Sequence, residues 1–163
     1  MDVRPAGPED AAAVADIWFH GWRDGHLGNV SDELVAIRTA ESFGRRAAER
    51  TGDTTVATVD DEVAGLVMVV DDEVEQVYVS SRHRGTGVAG TLLAEAERLV
   101  ALKGHERAWL AVVEGNARAR RFYERNGWTD EGPFDYPARS ADGPIPVPCR
   151  RYVKRTRRGS APT

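Results

Sequence analysis

The sequence has almost no cysteine and no long apolar run. Cys149 is the one cysteine among 163 residues, so no disulfide is expected within the chain and a reducing cytoplasm is the expected compartment. No stretch approaches the roughly 18 apolar residues that a membrane-spanning helix needs. The N-terminus also lacks the apolar segment of a secretory signal. These absences predict a cytoplasmic protein with no membrane partner.

The chain also lacks a strong excess of charge of one sign. Its 22 basic and 26 acidic residues leave a net charge of −4, which gives no general attraction to nucleic acid. The four histidines are scattered and share no metal-ligand spacing with the cysteine, so no metal is expected. The length is typical of one domain. We expect a single domain over residues 1–154 and a disordered tail over residues 155–163.

Apolar periodicity and turn residues predict an α+β fold with a mixed, mainly antiparallel sheet. About seven strands and four helices are expected, in the order β-α-α-β-β-β-α-β-α-β-β. Glycines at 21, 25 and 28 predict the end of the first helix near His20, and a second helix is expected over residues 32–50 behind a Ser31 cap. Five prolines between residues 130 and 148 predict a long loop there.

Residues 77–93 are the most informative stretch, and they read VYVSSRHRGTGVAGTLL. A short strand pattern leads into a basic, glycine-rich connection, which opens into a helix pattern. Glycine lets the backbone approach a ligand closely, and a helix N-terminus attracts anions. Arg82, His83 and Arg84 add positive charge. The stretch therefore predicts a phosphate-binding segment.

One familiar motif in this stretch does not fit its surroundings. Residues 85–90 match G-x-G-x-x-G, and Glu114 stands at the end of the next strand, where a dinucleotide fold places an acid. However, five residues separate the strand from Gly85, and that strand belongs to an antiparallel meander. Too little chain follows Glu114 for the remaining parallel strands. The pattern therefore disfavours a nicotinamide or flavin cofactor.

A second block begins at Asn116, about 30 residues after Gly87, and reads N-x-x-A-x-x-F-Y-E-x-N-G-W. Together with R-x-x-G-x-G at Arg82, it resembles the GNAT superfamily of N-acetyltransferases, with Trp128 in place of the more usual phenylalanine. The resemblance covers roughly residues 3–153. It implies a GNAT-like fold and transfer of an acetyl group from acetyl-CoA to a primary amine, by direct attack in a ternary complex.

The resemblance also implies how acetyl-CoA would bind. Backbone groups of Val77 and Val79 would pair with the pantetheine arm, and backbone N–H groups of residues 84–89 would hold the pyrophosphate. The expected cofactor-binding residues are Val77, Val79, Arg82, Arg84, Gly85, Thr86, Gly87, Val88, Ala89 and Asn116.

Acetyl transfer needs a neutral amine, a donor to the oxyanion and a proton for the thiolate. A backbone N–H near Val79 is the expected oxyanion donor. Strand alternation predicts that Glu73 and Glu75 share a face with Val77 and Val79. Glu75 is favoured as the base, with Glu73 and water as alternatives. The resemblance implies that Tyr123, whose reference pKa is about 10, is the general acid.

The acceptor is less well specified by the sequence. Trp18, Trp22, His26 and Tyr136 either pack in the core or line an enclosed pocket, and the second reading favours a small-molecule amine over a protein acceptor. Acidic residues near the first loops, namely Asp24, Asp32 and Glu33, would attract a cationic acceptor or are simple surface charges.

Two alternatives stay open. A non-catalytic acyl-CoA-binding or sensor domain is the second functional hypothesis, although the presence of Tyr123 and the nearby glutamates argues mildly against it. By analogy with relatives, residues 130–153 are a candidate for pairing across a homodimer.

Overall fold

The computed structural model describes residues 1–156. Within them, seven strands form one sheet in the order β1-β2-β3-β4-β5-β7-β6. The strands are β1 (Asp2–Pro5), β2 (Thr54–Val59), β3 (Glu62–Val70), β4 (Glu73–Val79), β5 (Arg107–Val113), β6 (Thr129–Ala138) and β7 (Ile145–Arg155). The α-helices are α1 (Ala11–His26), α2 (Asp32–Ile37), α3 (Ala40–Glu49), α4 (Val88–Leu102) and α5 (Ala117–Arg125). The β4–β5 pair is parallel, and the other neighbouring strands described are antiparallel.

The sheet is covered on both faces, and each face has its own apolar core. Helices α4 and α5 cover one face, where Leu92 and Leu93 pack among residues of the central strands. Helices α1, α2 and α3 cover the other face, where Trp18 and Phe43 are fully buried. Burying one such side chain contributes about 1.5–3 kcal/mol. The two cores together fix the helices that flank β4.

Helix α1 extends beyond its predicted end at His20 and continues to His26. The prediction is wrong because a glycine in a helix costs only about 1 kcal/mol, and packing offsets that cost here. A Cβ atom at Gly21 would lie 2.3 Å from the Tyr78 ring, and one at Gly25 would lie 2.9 Å from Nδ2 of Asn116. The two glycines therefore bring α1 into close contact with β4 and α5.

The single helix predicted over residues 32–50 is two helices. Ser31 caps α2 as expected, because its hydroxyl accepts a hydrogen bond from the Leu34 N–H. Arg38 then leaves the helical conformation, and Thr39 caps α3 by accepting a bond from the Ser42 N–H. At this break, the Arg38 guanidinium donates a hydrogen bond to the Arg139 carbonyl in the β6–β7 connection.

The long loop predicted over residues 130–148 is wrong, because most of this segment is a β-hairpin. Strand β6 is an edge strand, where the prolines at 133 and 137 are tolerated. In β7, Pro146 and Pro148 come before Cys149, the first residue that pairs with β5. Their missing N–H groups therefore interrupt no hydrogen bond to β5. The connection between the strands is only residues 139–144.

Strand β4 contains a β-bulge. Gln76 pairs with Met68, but Val74 pairs with the next residue, Val69, so Glu75 is an extra residue in β4. A bulge of this kind interrupts the alternation of side chains along a strand.

Because of this bulge, the prediction that Glu73 and Glu75 share a face with Val77 and Val79 is wrong. Val77 and Val79 pack toward the α4–α5 core. Glu75 instead reaches Arg50, which follows α3, and Glu73 reaches Tyr136, which packs against the opposite core. The two carboxylates and the two valines therefore lie on different faces of the sheet.

The end of the described chain is held by the sheet. Arg155 is the last residue of β7, and the Thr156 hydroxyl donates a 2.7 Å bond to the carbonyl of His105. The rest of the predicted disordered tail, residues 157–163, lies outside the described residues. Across residues 1–156, no helix has both the length and the apolar character required to cross a membrane.

Candidate active site

A cleft of about 580 Å³ opens between α1, the C-terminal half of β4, the start of α4 and one side of α5. Strands β4 and β5 are in register only at Glu73 and Trp109, so their C-terminal ends diverge on this side of the sheet. Most of the predicted cofactor residues line the cleft, namely Val77, Val79, Arg84, Gly85, Gly87, Val88, Ala89 and Asn116. Tyr123 lines it as well.

The glycine-rich connection has the geometry of an anion cradle. Gly85 and Gly87 have φ angles of 76° and 87°, a conformation that side chains with a Cβ rarely adopt. Gly87 is the N-cap of α4 and provides no side-chain cap, so the first N–H groups of the helix point into the cleft without a capping partner. His83 adds a buried Nδ1 with no hydrogen-bond partner among the described residues. This surface fits a pyrophosphate.

The two predicted arginines have different positions. Arg84 lines the cleft, and its Nη2 lies 2.6 Å from Oδ2 of Asp24 on α1. Arg82 is not among the lining residues and forms an ion pair with Glu62 on β3. Thr86 is also outside the lining set, and its hydroxyl donates to the His83 carbonyl. Of the two arginines, only Arg84 lines the cleft.

Sequence reasoning missed the basic side chains of α5. Arg118 and Arg125 line the cleft together with Phe122 between them. The spacing of these three residues is four and then three, so they lie on one side of the helix. This helical spacing was the available signal, and it places two more cations beside the anion cradle.

Asn116 has a structural role that the structure shows directly. Its Oδ1 accepts a 3.2 Å hydrogen bond from the Ala119 N–H and so caps α5. Its side chain also lies against Gly25 at the cleft wall. The cap fixes the start of the helix that carries Tyr123.

Tyr123 is buried among aromatic rings, with centroids 5.2 Å from Phe122 and 6.2 Å from Trp128. Burial raises the pKa of its phenol well above the usual value. The pKa of Tyr78, which also lines the cleft, is raised by burial and then by the charge that Tyr123 would carry. Both phenols therefore hold their protons at neutral pH.

Glu73 and Glu75 are not among the residues that line the cleft, and their electrostatic environments differ. Burial raises the pKa of Glu73 to about 7, against the opposing effect of a 2.7 Å hydrogen bond donated by the Tyr136 hydroxyl. Glu75 instead lies 3.3 Å from Nη1 of Arg50. Near neutral pH, Glu73 is therefore poised between its protonated and its ionised form.

The aromatic residues of α1 belong to the core. Trp18 and Trp22 are 0% and 6% exposed and pack against Phe43. His26 stacks on Trp22, and burial lowers its pKa to about 4, so it is neutral. Packing accounts for these three side chains. No group of three or more His, Cys, Asp or Glu residues within residues 1–156 is arranged to hold a metal ion.

Comparison with family models places the chain in a known class. The acetyltransferase (GNAT) family model matches residues 13–128, so the chain belongs to the GNAT acetyltransferase family. Uncharacterized N-acetyltransferases of Mycobacterium bovis and Mycobacterium tuberculosis are 32% identical to it over 78 residues, which is 45% of this chain and 50% of theirs. The match thus spans half the length of these curated relatives.

Solved structures share the fold along nearly the whole chain. A GCN5-related N-acetyltransferase from Rhodopseudomonas palustris has a TM-score of 0.73 at 21% identity and 94% coverage of both chains. The PaiA N-acetyltransferase of Thermoplasma acidophilum, solved with coenzyme A, has a TM-score of 0.73 at 18% identity, covering 94% of this chain and 98% of its own. YncA, a putative acetyltransferase of Salmonella typhimurium solved with acetyl-CoA, has a TM-score of 0.69 at 20% identity, with coverage of 100% and 98%. The predicted GNAT-like fold is confirmed.

Proposed function

We propose that this protein is an N-acetyltransferase that moves an acetyl group from acetyl-CoA to a primary amine. The observation that carries the proposal is that one cleft contains both the anion cradle at the start of α4 and the buried phenol of Tyr123. Membership of the GNAT family and the coenzyme A and acetyl-CoA bound to two structural neighbours support it.

Different residues of the cleft would bind different parts of acetyl-CoA. The backbone of Val77 and Val79 would hold the pantetheine arm, with an N–H near Val79 as the oxyanion donor. The N–H groups of residues 84–89 would hold the pyrophosphate, and Arg84 would add charge. Arg118 and Arg125 would hold further phosphate oxygens. Asn116 would contact the cofactor while it caps α5.

We assign the base to Glu73 rather than to Glu75. A protonated amine cannot attack the thioester that acetyl-CoA supplies, so the amine must first lose a proton. Glu73 is not among the residues that line the cleft, so it would accept this proton through water. A pKa of about 7 matches a base that works near neutral pH. The ion pair with Arg50 favours a structural role for Glu75.

Tyr123 is the proposed general acid. As the bond from the amine nitrogen to the acyl carbon forms and the carbon–sulfur bond breaks, the departing sulfur takes the proton of the phenol. The raised pKa keeps that proton on Tyr123 until the sulfur becomes basic. The acylated nitrogen still carries one proton too many, and it returns that proton through solvent to the phenolate of Tyr123. Glu73 then releases the first amine proton to solvent.

We also propose that the acceptor is a small molecule. On the acceptor side of β4, the Arg38 guanidinium donates a 2.8 Å bond to the carbonyl of Arg139 in the β6–β7 connection. This contact ties the α2–α3 segment to the hairpin that also carries Tyr136, the partner of Glu73. A cytoplasmic location fits such a reaction, because acetyl-CoA is a cytoplasmic metabolite.

The test combines binding and turnover. Acetyl-CoA is titrated into the protein by calorimetry, and release of free thiol is then followed with a panel of small amines. We expect binding together with amine-dependent thiol release. Binding without thiol release from any amine would favour the non-catalytic acyl-CoA-binding alternative. Gly87→Asp, which puts a negative side chain at a left-handed position in the cradle, should abolish binding.

A further inference from the structure

The α1–α3 side of β4 carries a group of guanidinium side chains that the proposed chemistry does not use. It consists of Arg38, Arg46 and Arg50, and we call it the arginine cluster. Arg38 follows α2, Arg46 lies in α3, and Arg50 follows α3. The cluster faces the part of β4 that carries Glu75.

Arg46 has no anionic partner among the described residues. Its guanidinium lies 4.4 Å from the ring centroid of Trp18 and 5.3 Å from that of Phe43. Its Nη1 is shielded from solvent and makes no hydrogen bond within residues 1–156. Stacking on aromatic rings fixes the plane of the guanidinium but leaves its N–H groups unsatisfied.

The other two members of the cluster are only partly satisfied. Arg50 contacts Asp53 at 3.1 Å and Glu75 at 3.3 Å, yet its Nη2 is shielded and has no partner in the described chain. Arg38 is 8% exposed, and the hydrogen bond described for it goes to a backbone carbonyl rather than to a carboxylate.

The charges in this region do not balance. Three half-buried or buried cations lie near two carboxylates, those of Glu75 and Asp53, and both of these pair with Arg50. Burial together with the charges of Arg38 and Arg50 lowers the pKa of Arg46 to about 10. Buried charges in proteins are normally paired, because an unpaired one is costly. A carboxylate is the natural partner, since it accepts two parallel bonds from a guanidinium.

The cluster lies beside the proposed reaction centre. Tyr78 connects the two, because it lines the cleft and is close enough to Arg46 and to Tyr123 for each to shift its pKa. Glu75, which pairs with Arg50, is also close enough to Glu73 to raise its pKa. The three arginines are not among the residues that line the cleft, so an acceptor bound there would extend past Tyr78 toward them.

We propose that the arginine cluster binds a carboxylate of the acceptor, which is therefore a small amino acid rather than a simple amine or a polyamine. The inference rests on the proposed acetyltransferase function and narrows its substrate class. Acidic residues that would attract a cationic acceptor do not face the cluster: Asp24 pairs with Arg84, while Asp32 and Glu33 are exposed on the first turn of α2.

The first experiment uses matched acceptors with the unmodified protein. The twenty common L-amino acids are assayed for thiol release from acetyl-CoA, and each one that reacts is compared with its amide and with its decarboxylated amine. We expect at least one amino acid to react, with kcat/KM falling tenfold or more when the carboxylate is absent. Amines without a carboxylate that react equally well or better would overturn the proposal.

The second experiment uses variants of α3. Arg46→Gln should raise KM for the reactive amino acid at least tenfold, change kcat less, and leave calorimetric binding of acetyl-CoA unchanged. Arg46→Lys should recover part of the affinity. Arg45→Gln is the matched control, because Arg45 is 65% exposed on the same helix. An unchanged KM in Arg46→Gln would contradict the proposal.

A third measurement is independent of turnover. The reactive amino acid is titrated calorimetrically into the protein without acetyl-CoA, and its binding should weaken in Arg46→Gln but not in Arg45→Gln. Equal binding by both variants would count against the cluster. Failure of the acetyltransferase function has a different signature, namely no thiol release with any amine even though the amino acid binds.

Discussion

The hydroxyl of Tyr136 on the edge strand β6 donates a 2.7 Å hydrogen bond to Oε2 of Glu73 at the start of β4. The bond spans the sheet from its outer hairpin to the strand that carries the proposed base. It lowers the pKa of a carboxyl that burial would otherwise raise further. The β6–β7 hairpin therefore contributes to the acid–base properties of the site.

The proposed base gives the first prediction. Because Glu73 must be ionised to accept a proton and has a pKa of about 7, kcat/KM should rise with pH through about 7 and then level. Glu73→Gln should lower kcat/KM by about 10²–10⁴-fold and remove this rising limb. The measurement is a pH profile of thiol release. Glu49→Gln, an exposed change at the end of α3, serves as the control.

The same carboxyl should affect stability. A group whose pKa is raised on folding stabilises the protein at low pH, and that contribution is lost as pH rises from the ordinary pKa of 4.5 through about 7. At pH 8 the folded protein must hold an ionised carboxylate at this buried site. Glu73→Gln carries no such charge, so its Tm should exceed that of the unmodified protein by a few degrees at pH 8. Thermal denaturation followed by circular dichroism should show a smaller difference at pH 5. A Tm that is lower at both pH values would contradict the assignment.

Tyr136 should act on the reaction through Glu73. Tyr136→Phe removes the donated hydrogen bond, so the pKa of Glu73 should rise and the midpoint of the pH profile should move above about 7. The affinity for acetyl-CoA, measured by calorimetry, should stay the same. A role in packing alone would lower stability without moving the midpoint.

Tyr123→Phe tests the proposed acid. The change removes one hydroxyl from a buried ring and leaves the aromatic contacts in place. Turnover should fall by tenfold or more, while the Kd for acetyl-CoA should change little. Stopped-flow measurement of thiol release, with calorimetry of the same variant, separates the two effects. Unchanged turnover would remove Tyr123 from the mechanism.

The contact between Asp24 and Arg84 should compete with phosphate binding. Its Nη2–Oδ2 distance is 2.6 Å across the cleft, and Arg84 must share its charge between the carboxylate and a bound pyrophosphate. Asp24→Asn should therefore tighten acetyl-CoA binding by up to about fivefold, as expected for an exposed ion pair. Asp16→Asn, also on α1 and 73% exposed, should leave the Kd unchanged. Weaker binding in Asp24→Asn would show that Asp24 instead positions Arg84.

The correct predictions concern features that depend on residues close together in the sequence. The backbone is left-handed at positions 85 and 87, which favours glycine there. Helix α5 begins directly after position 116, which favours a capping residue such as asparagine there. These patterns supported the prediction of a GNAT-like fold, and most of the predicted cofactor residues do line the cleft. The cradle and the α5 cap therefore follow from the order of residues alone.

The errors arose where a distant element decides the local structure. Prolines at 146 and 148 fit a strand because β5 does not reach them, and Gly21 fits a helix because Tyr78 packs against it. The bulge at Glu75 depends on how β3 pairs with β4, which the strand's own alternation does not show. The partners of Glu73 and Arg46 are likewise remote in sequence.

The extra residue at Glu75 separates two groups of side chains on β4. It leaves Val77 and Val79 directed toward the α4–α5 core, while the glutamates meet side chains of α3 and the hairpin. Substitutions among the α3 and hairpin residues that meet the glutamates therefore leave the two valines untouched. Under the proposed function, changes on that side would alter the choice of amine and leave the contacts with the acetyl donor in place.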